Sequence, residues 1–483
     1  MACVRAFSAY LLVMSFIEPS YLQLPEAFYA KVSPSALPEP KRIAYNSALA
    51  QAWGLGELDR EALRGSKGTT PLALAYSGHQ FGVFVPLLGD GRAILIGEAE
   101  NAQGQRADLH LKGAGRTPFS RNGDGRAALG PVMREYLLSE AMAALGVPTS
   151  RALAAYTTGE VIMRDGPRYG AALVRLASSH LRIGTFQYAA RLGPEALAAL
   201  VDFALQRHFP AHAKAEVPAL ALLDSVVARQ AELVAAWLLV GFIHGVMNSD
   251  NSMISGETLD YGPAAFLDSY DPQKVFSSID HQGRYAYGNQ PQIAQWNLAK
   301  LAQTLLPLIN TREAEALQLA QTSVDRFAPR FETAYLSGMR RKLGLVQEAP
   351  EDAALARDLL DQMAEAKADF TNSFRRLADA VEQDPEPLAF LKDWLPRWRA
   401  RLEQEKRRPS EIATSLTEAN PQFIPRNHQV QQAIRDAEET QSFDRFHRLL
   451  SVWQRPYDAQ PEASDLTLPP SAEEEVRVTF CGT

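Results

Sequence analysis

Hydrophobic positions change their period along the chain. Between residues 71 and 115 they come in short runs and alternations. Ala93-Ile94-Leu95-Ile96 follows the turn-forming Gly89-Asp90-Gly91, and Asp108-Leu109-His110-Leu111-Lys112 alternates polar and apolar as a half-buried strand does. A helix is predicted over about 131–145, with Pro131 suited to its first position and Gly146 and Pro148 to its stop. Val161-Ile162-Met163 and Ala172-Leu173-Val174 read as two further short strands. From 195 the period becomes helical, with helices over 195–207 and 226–245 and a short hairpin over 252–260 that turns at Gly256. Helices resume after 290 and dominate to about 455, with charged surfaces around 350–410. Residues 18–70, punctuated by Pro19, Pro25, Pro34, Pro38 and Pro40, read as turns and short helices, and the Pro- and acid-rich stretch 456–483 reads as extended.

This order predicts an α+β chain in four parts: an N-terminal extension (1–70), a small strand-rich lobe with one helix (71–178), a larger helical lobe (179–345), and a helical C-terminal extension with its tail (346–483). A length of 483 residues exceeds one ordinary core. With 46% hydrophobic and 22% charged residues the composition is that of a globular protein. The longest uncharged apolar run, Leu233 to Met247, is shorter than the roughly 20 residues of a membrane helix, so it reads as a buried core helix and no membrane partner is expected. The net charge of −7 argues against nucleic acid as a partner, since such proteins present a basic surface, yet it leaves room for a local basic pocket. The two cysteines, Cys3 and Cys481, belong to no CxxC or zinc pattern, which excludes a disulfide scaffold and fits a cytoplasmic protein. Ala6 to Ile17 after Arg5 is loosely like a signal peptide without a small-x-small cleavage site, so no cleaved signal is expected, and Met14 is an alternative start.

Five groups of residues carry chemistry. In Leu88-Gly89-Asp90-Gly91-Arg92 the glycines let backbone amides approach phosphates, although Asp-Gly is equally a turn signal. Lys112 ends a strand and precedes Gly113-Ala114-Gly115; facing a cleft it neutralises phosphate charge, and on an edge it is simply solvated. Glu135, on the next helix, is either a solvated neighbour of Arg134 and Glu140 or the partner that fixes the Lys112 ammonium, a pairing found in protein kinases. The stretch His244 to Asn251 follows a buried helix and offers Asp250 as a base and Asn251 as a metal ligand, or a polar helix-terminating loop. Leu259-Asp260-Tyr261-Gly262-Pro263 returns a carboxylate beside Asn251, a hard-oxygen pair suited to Mg²⁺, or forms only a turn. Arg175 and Arg182 can clamp phosphate oxygens or sit in surface ion pairs.

The strings Tyr76 to Gly82, His110 to Ser120, His244 to Asn251, Leu259 to Pro263, Asp280 to Tyr285 and Ile424 to His428 resemble the selenoprotein O family, over nearly the whole chain from about residue 20. The resemblance implies a protein-kinase-like two-lobed fold that binds ATP inverted, so that AMP passes to Ser, Thr or Tyr hydroxyls of protein substrates and pyrophosphate leaves. It implies that Gly89, Gly91 and Arg92 contact nucleotide, that Asp124 and Gly125 line its site, and that Lys112, Arg175 and Arg182 hold the far phosphates with Glu135 orienting Lys112. It further implies Asp250 as the base and Asn251 and Asp260 as ligands of Mg²⁺ or Mn²⁺. Family members often carry selenocysteine or cysteine where Cys481 stands, in some paired with a cysteine beyond the metal-binding loop; the matching stretch Val275 to Ser278 has none, so a free tail thiol is expected. UMP transfer from UTP, γ-phosphate transfer and a non-catalytic nucleotide-binding scaffold remain open.

Overall fold

The computed structural model describes residues 16–65 and 68–480. The readings of Cys3, Met14, Cys481 and most of Ala6 to Ile17 fall outside those residues. In chain order the strands are β1 (Tyr29–Lys31), β2 (Lys41–Tyr45), β3 (Leu72–Leu74), β4 (Gly78–Gln80), β5 (Val83–Val85), β6 (Ala93–Glu100), β7 (Arg106–Lys112), β8 (Ala127–Ala128), β9 (Arg151–Met163), β10 (Pro167–Ala177), β11 (Phe242–Ile243) and β12 (Ala265–Phe266). The main sheet runs β1-β3-β6-β7-β10-β9-β2, with β8 pairing β10, and all its pairs are antiparallel.

Residues before 71 do more than turn: β1 and β2 supply both ends of the sheet, and Pro34, Pro38 and Pro40 lie between these strands, where a missing N–H breaks no ladder. The two short strands read around 161 and 172 are the far end and the middle of a long ribbon, β9–β10. Tyr156, Thr157 and Thr158 carry the extended pattern across polar positions that a search for apolar triplets passes over.

Both faces of the sheet are covered. Leu95, Ala155, Ala171 and Leu173 face one core, while Ile94, Ile96, Leu109, Leu111, Ala172 and Val174 face another that includes Leu49, Leu55 and Leu63. The half-buried alternation expected of β7 is therefore not what forms. Asp108, His110 and Lys112 are buried too, each against a polar or charged partner.

The helix after β8 spans Leu129–Ala144, so Pro131 falls within its first turn, where the N–H it lacks would donate to no carbonyl of the helix. It is held between the sheet and the helices Asn427–Thr440 and Asp444–Trp453. Arg134, Glu135 and Glu140 are consequently buried instead of solvated: Arg134 donates to the Ala264 carbonyl and to Asn427 Oδ1, and Glu140 accepts from Arg151 and Asn46.

The apolar run Leu233–Met247 is not one helix. The helix Pro218–Leu239 stops, Gly241 turns at φ +74°, and β11 begins; a Cβ at Gly241 would lie 2.9 Å from the Phe370 ring. No described helix is long and apolar enough to cross a membrane. The segment 195–207 lies within a helix Pro194–His208, with a second helix, Ile183–Leu192, just before it.

Residues 252–260 do not form a hairpin. Ile254 N–H donates to the Leu181 carbonyl, Thr258 N–H to the Pro148 carbonyl and Gln230 Nε2 to the Met253 carbonyl, so neighbouring elements satisfy this loop and its two sides do not pair. The strands that do pair, β11 and β12, lie outside it. Helices continue from Gln290–Ile309 onward, and a separate core gathers Phe374, Leu377, Trp394, Trp398 and Leu416. The tail then returns: Thr479 N–H donates to the Phe276 carbonyl (2.7 Å), Ser278 N–H to the Thr479 carbonyl (3.0 Å) and Thr479 Oγ1 to the Pro263 carbonyl (2.6 Å).

Candidate active site

A cavity of about 540 Å³ opens between the central strands β6, β7 and β10 of the main sheet and the loops that follow the helix Pro218–Leu239. Gly89, Gly91, Arg92, Lys112, Asp124, Gly125, Arg175, Arg182, Asp250, Asn251 and Asp260 all line it, and Glu135 sits one layer behind.

The wall begins with strand pairing. β7 and β10 are neighbours in register, with Arg175 opposite His110, so Lys112 and Arg175 emerge close together. Glu135 divides its two oxygens between them: Lys112 Nζ lies 2.5 Å from Oε2 and Arg175 Nη1 lies 2.8 Å from Oε1. Lys112 Nζ is also 2.7 Å from Asp260 Oδ1, and Arg175 Nη1 is 3.6 Å from the same oxygen. Burial alone would raise both carboxyls, but Lys112 and Arg175 hold Glu135 below its ordinary value, and with Arg182 they hold Asp260 well below its own. Asp260 sits at φ +64°, a left-handed backbone that aspartate tolerates better than most residues. Arg182 donates to the Asp250 carbonyl (2.8 Å), lies 3.5 Å from Asp90 Oδ1 and stands 4.3 Å over the Tyr76 ring.

The opposite wall is the turn Ser249–Asn251. Asp250 is buried; its Oδ2 accepts from Gln80 Nε2 at 3.1 Å, while Oδ1 has no partner. Burial pushes its carboxyl up to about 6, with Gln80 and Arg182 opposing. The β4–β5 hairpin fixes this turn from the other side: His79 N–H donates to Ser249 Oγ (2.7 Å) and Phe81 N–H to Asn248 Oδ1 (3.0 Å). Asn251 ties its amide nitrogen back to the Val246 carbonyl at 3.2 Å, which leaves the amide oxygen available.

These donors bear on a divalent ion. Among the described residues no three His, Cys, Asp or Glu side chains cluster as a self-sufficient metal site. What is present is a set of hard oxygens: the Asn251 amide oxygen, the Asp260 carboxylate, and the orphaned, buried Oδ1 of Asp250. Such a set suits Mg²⁺ or Mn²⁺ when phosphate oxygens complete the shell. Anion acceptance is equally built in, because Arg126 Nη1, Arg164 Nε and Arg182 Nε are buried around the cavity without partners.

The glycines have a further steric role. A Cβ on Gly89 would come within 2.5 Å of the Phe119 ring, and one on Gly91 within 3.0 Å of the Phe119 carbonyl. They admit the loop 116–126, whose Thr117 Oγ1 donates to the Asp90 carbonyl at 2.6 Å and whose Ser120 hydroxyl donates to the Gly91 carbonyl. Residues 88–92 link β5 to β6 across two different sheets and so are no hairpin. Asp124 faces the cavity rim, but Arg164 grips its carboxylate at 2.8 and 3.0 Å and holds it below its ordinary value.

Sequence reasoning did not single out Gln80, Asp90, Phe119, Arg126 or Arg164 as site residues. Asp90 stood inside the glycine motif, and its signal was an acid between two glycines that the fold buries against His110 (3.1 Å). Gln80 and Phe119 lay within strings quoted for their resemblance alone. Arg126 and Arg164 carried no local signal, since only the pairing of β8 and β9 with β10 brings them to the cavity.

Comparison with known proteins adds the remaining finding. The family model described as protein adenylyltransferase SelO matches residues 11–454. A protein nucleotidyltransferase YdiU of Rhodopseudomonas palustris (strain BisB5) is 51% identical over 484 residues, covering 96% of this chain and 98% of its own. Proteins of the same name from Rhizobium meliloti (strain 1021) and Nitrobacter winogradskyi are each 52% identical, again over 96% of this chain, and over 98% and 95% of their own lengths.

Proposed function

The chain belongs to the protein adenylyltransferase SelO family of nucleotidyltransferases, and from that premise we propose that it transfers AMP from ATP to Ser, Thr or Tyr hydroxyls of protein substrates on a protein-kinase-like, two-lobed frame. The observation that carries this reading is one cavity in which Lys112, Arg175 and Arg182 face Asp250, Asn251 and Asp260.

In this reading Gly89, Gly91, Arg92 and Gly125 cradle the nucleotide, with Asp124 orienting Arg164 at the rim. Lys112, Arg175 and Arg182 hold the β- and γ-phosphates, and Glu135 keeps the first two in place. Asp250 takes the proton of the acceptor hydroxyl as its oxygen attacks the α-phosphorus. The bond from that phosphorus to the bridging oxygen breaks, and pyrophosphate leaves with the electron pair, stabilised by the cations of the sheet. Asn251 and Asp260 would hold the divalent ion, which supplies charge neutralisation on phosphate oxygens. A carboxyl raised by burial toward neutrality is a fitting base, since proton acceptors work best near the operating pH.

Purified protein, a candidate acceptor and ATP labelled on either the α- or the γ-phosphate test the reading. Protein-bound label from α-labelled ATP alone is expected. Label from γ-labelled ATP alone rejects the proposal in favour of a kinase, and a stronger signal from α-labelled UTP reassigns the nucleotide.

A further inference from the structure

The β4–β5 hairpin faces two ways. Its inner edge holds the catalytic turn through the bonds of His79 and Phe81 and through Gln80, which lines the nucleotide cavity and bonds Asp250. Its outer strand is exposed and apolar on both sides: Val83, paired with Gln80 on the cavity side, is 69% accessible, Phe84, paired with His79 on the other side, 38%, and the neighbouring Leu87 49%. The Phe84 ring lies 4.9 Å from that of His79, which in turn meets Trp296 edge-on at 5.2 Å.

Two cations sit on Trp296. The Arg284 guanidinium is 4.7 Å and the Lys300 ammonium 5.0 Å from the ring centroid. A Cβ at Gly82, the hairpin turn, would be 3.7 Å from the Arg284 guanidinium carbon. Among the described residues neither cation makes an ion pair; besides Trp296, Lys300 reaches Gln303, and the Arg284 side chain bonds Tyr285 while its Nε has no partner and its backbone N–H donates to the buried Asp280 carboxylate at 2.9 Å. The charged groups that act on the His79 ring are these same two cations, with no carboxylate among them. The whole chain carries a net charge of −7, so two neighbouring cations outside any ion pair run against its average.

We infer that this face seats the acceptor polypeptide, and that the acceptor carries acidic and apolar residues next to the hydroxyl to be modified. The inference rests on the transferase reading above and adds a substrate class to it. Charge selects the segment, because acidic side chains are attracted to Arg284 and Lys300. Val83, Phe84 and Leu87 supply the apolar contact. Continuity supplies the position: Gln80 belongs both to this hairpin and to the cavity wall, so a segment lying on the hairpin ends beside Asp250.

The test uses the full-length enzyme, α-labelled ATP, and synthetic peptides with one Ser, Thr or Tyr flanked by Glu and Leu or by Lys and Leu. Wild-type enzyme is expected to favour the acidic set by about tenfold in kcat/KM, through KM. The double variant Arg284→Glu/Lys300→Glu is expected to lose or invert that preference while keeping wild-type affinity for a fluorescent ATP analogue, which also shows that it folds. Phe84→Ser should raise KM for the Leu-bearing peptides and leave Ser-for-Leu peptides unchanged. Equal labelling of both peptide sets by wild type, or an unchanged acidic preference in the double variant, overturns the docking surface and leaves the transferase reading standing. Absence of label on any peptide or protein from ATP or UTP overturns both.

Discussion

A substitution at Gly78 can displace Asp250, the proposed base, without replacing it. A Cβ built there would lie 2.3 Å from Asp250 Oδ1, 2.7 Å from its Cγ and 2.8 Å from its Cβ. Ordinary contact begins near 3.4 Å, so the shortfall at Oδ1 is about 1 Å. Rotation about χ1 cannot relieve it, because the Asp250 Cβ is itself too close. Nor can the backbone retreat easily: Arg182 holds the Asp250 carbonyl at 2.8 Å, and Gly184 packs so near that its own Cβ would sit 3.3 Å from the Asp250 Cα. Gly78→Ala should therefore push the turn and its carboxylate together by a sizeable part of 1 Å. Displacement on that scale costs roughly 10²-fold in rate, and the overpacking costs about 1–3 kcal/mol of stability. The assay is label transfer from α-labelled ATP with urea denaturation on the same preparations. Gly104→Ala is the control; its Cβ meets nothing within 4 Å and its φ is +74°, so it should lose about 1 kcal/mol and no kcat. A folded Gly78→Ala enzyme with kcat within threefold of wild type would refute the placement of Asp250 at the reacting hydroxyl.

Asp260→Ala should abolish metal-dependent transfer in a folded protein; retained activity would remove Asp260 from the ion site. Glu135→Gln should lower stability by about 3 kcal/mol, since it leaves Lys112 and Arg175 buried with less counter-charge, and should raise the KM for ATP; unchanged urea midpoints would contradict the charge division described. Lys342 lies buried over Phe374 (4.1 Å), and burial lowers its ammonium to about 7. The unfolded chain binds that proton up to about pH 10.4. Stability should thus rise between pH 7 and pH 10, and Lys342→Met should add on the order of 3 kcal/mol at pH 6 while flattening the rise; an identical pH slope in the variant would show the lysine to be solvated.

The two-part course of the chain was legible because period and punctuation change together after β10, and the cavity's main residues were legible because each combined a reactive side chain with a turn or strand end. Pairing partners were not legible. Lys112 read as a possible edge lysine, and only the register of β7 against β6 and β10 makes it central. Glu135 read either as a solvated neighbour of Arg134 and Glu140 or as the partner of Lys112, and what buries it against Lys112 lies far along the chain: two helices more than 280 residues further on, beginning at Asn427 and Asp444, close over that helix. The 252–260 hairpin failed for a related reason: a glycine turn marks where a chain reverses, not what its arms bond.

The charges of the site also set one carboxylate apart from the rest. Lys112, Arg175 and Arg182 stand against Glu135, Asp260 and Asp90, each carboxylate within ion-pair distance of at least one cation. Asp250 is the carboxylate outside this balance. It faces an amide instead of a cation, keeps one oxygen unpartnered, and is the one of the four in which no cation outweighs burial, so that its affinity for a proton ends above the ordinary value. Asp260 differs: Lys112 and Arg175 both approach its Oδ1, so under the proposed assignment Oδ2 is the oxygen it would offer a divalent ion, while Glu135 would keep the two cations in place for the phosphates and Asp250 would be left for the hydroxyl proton.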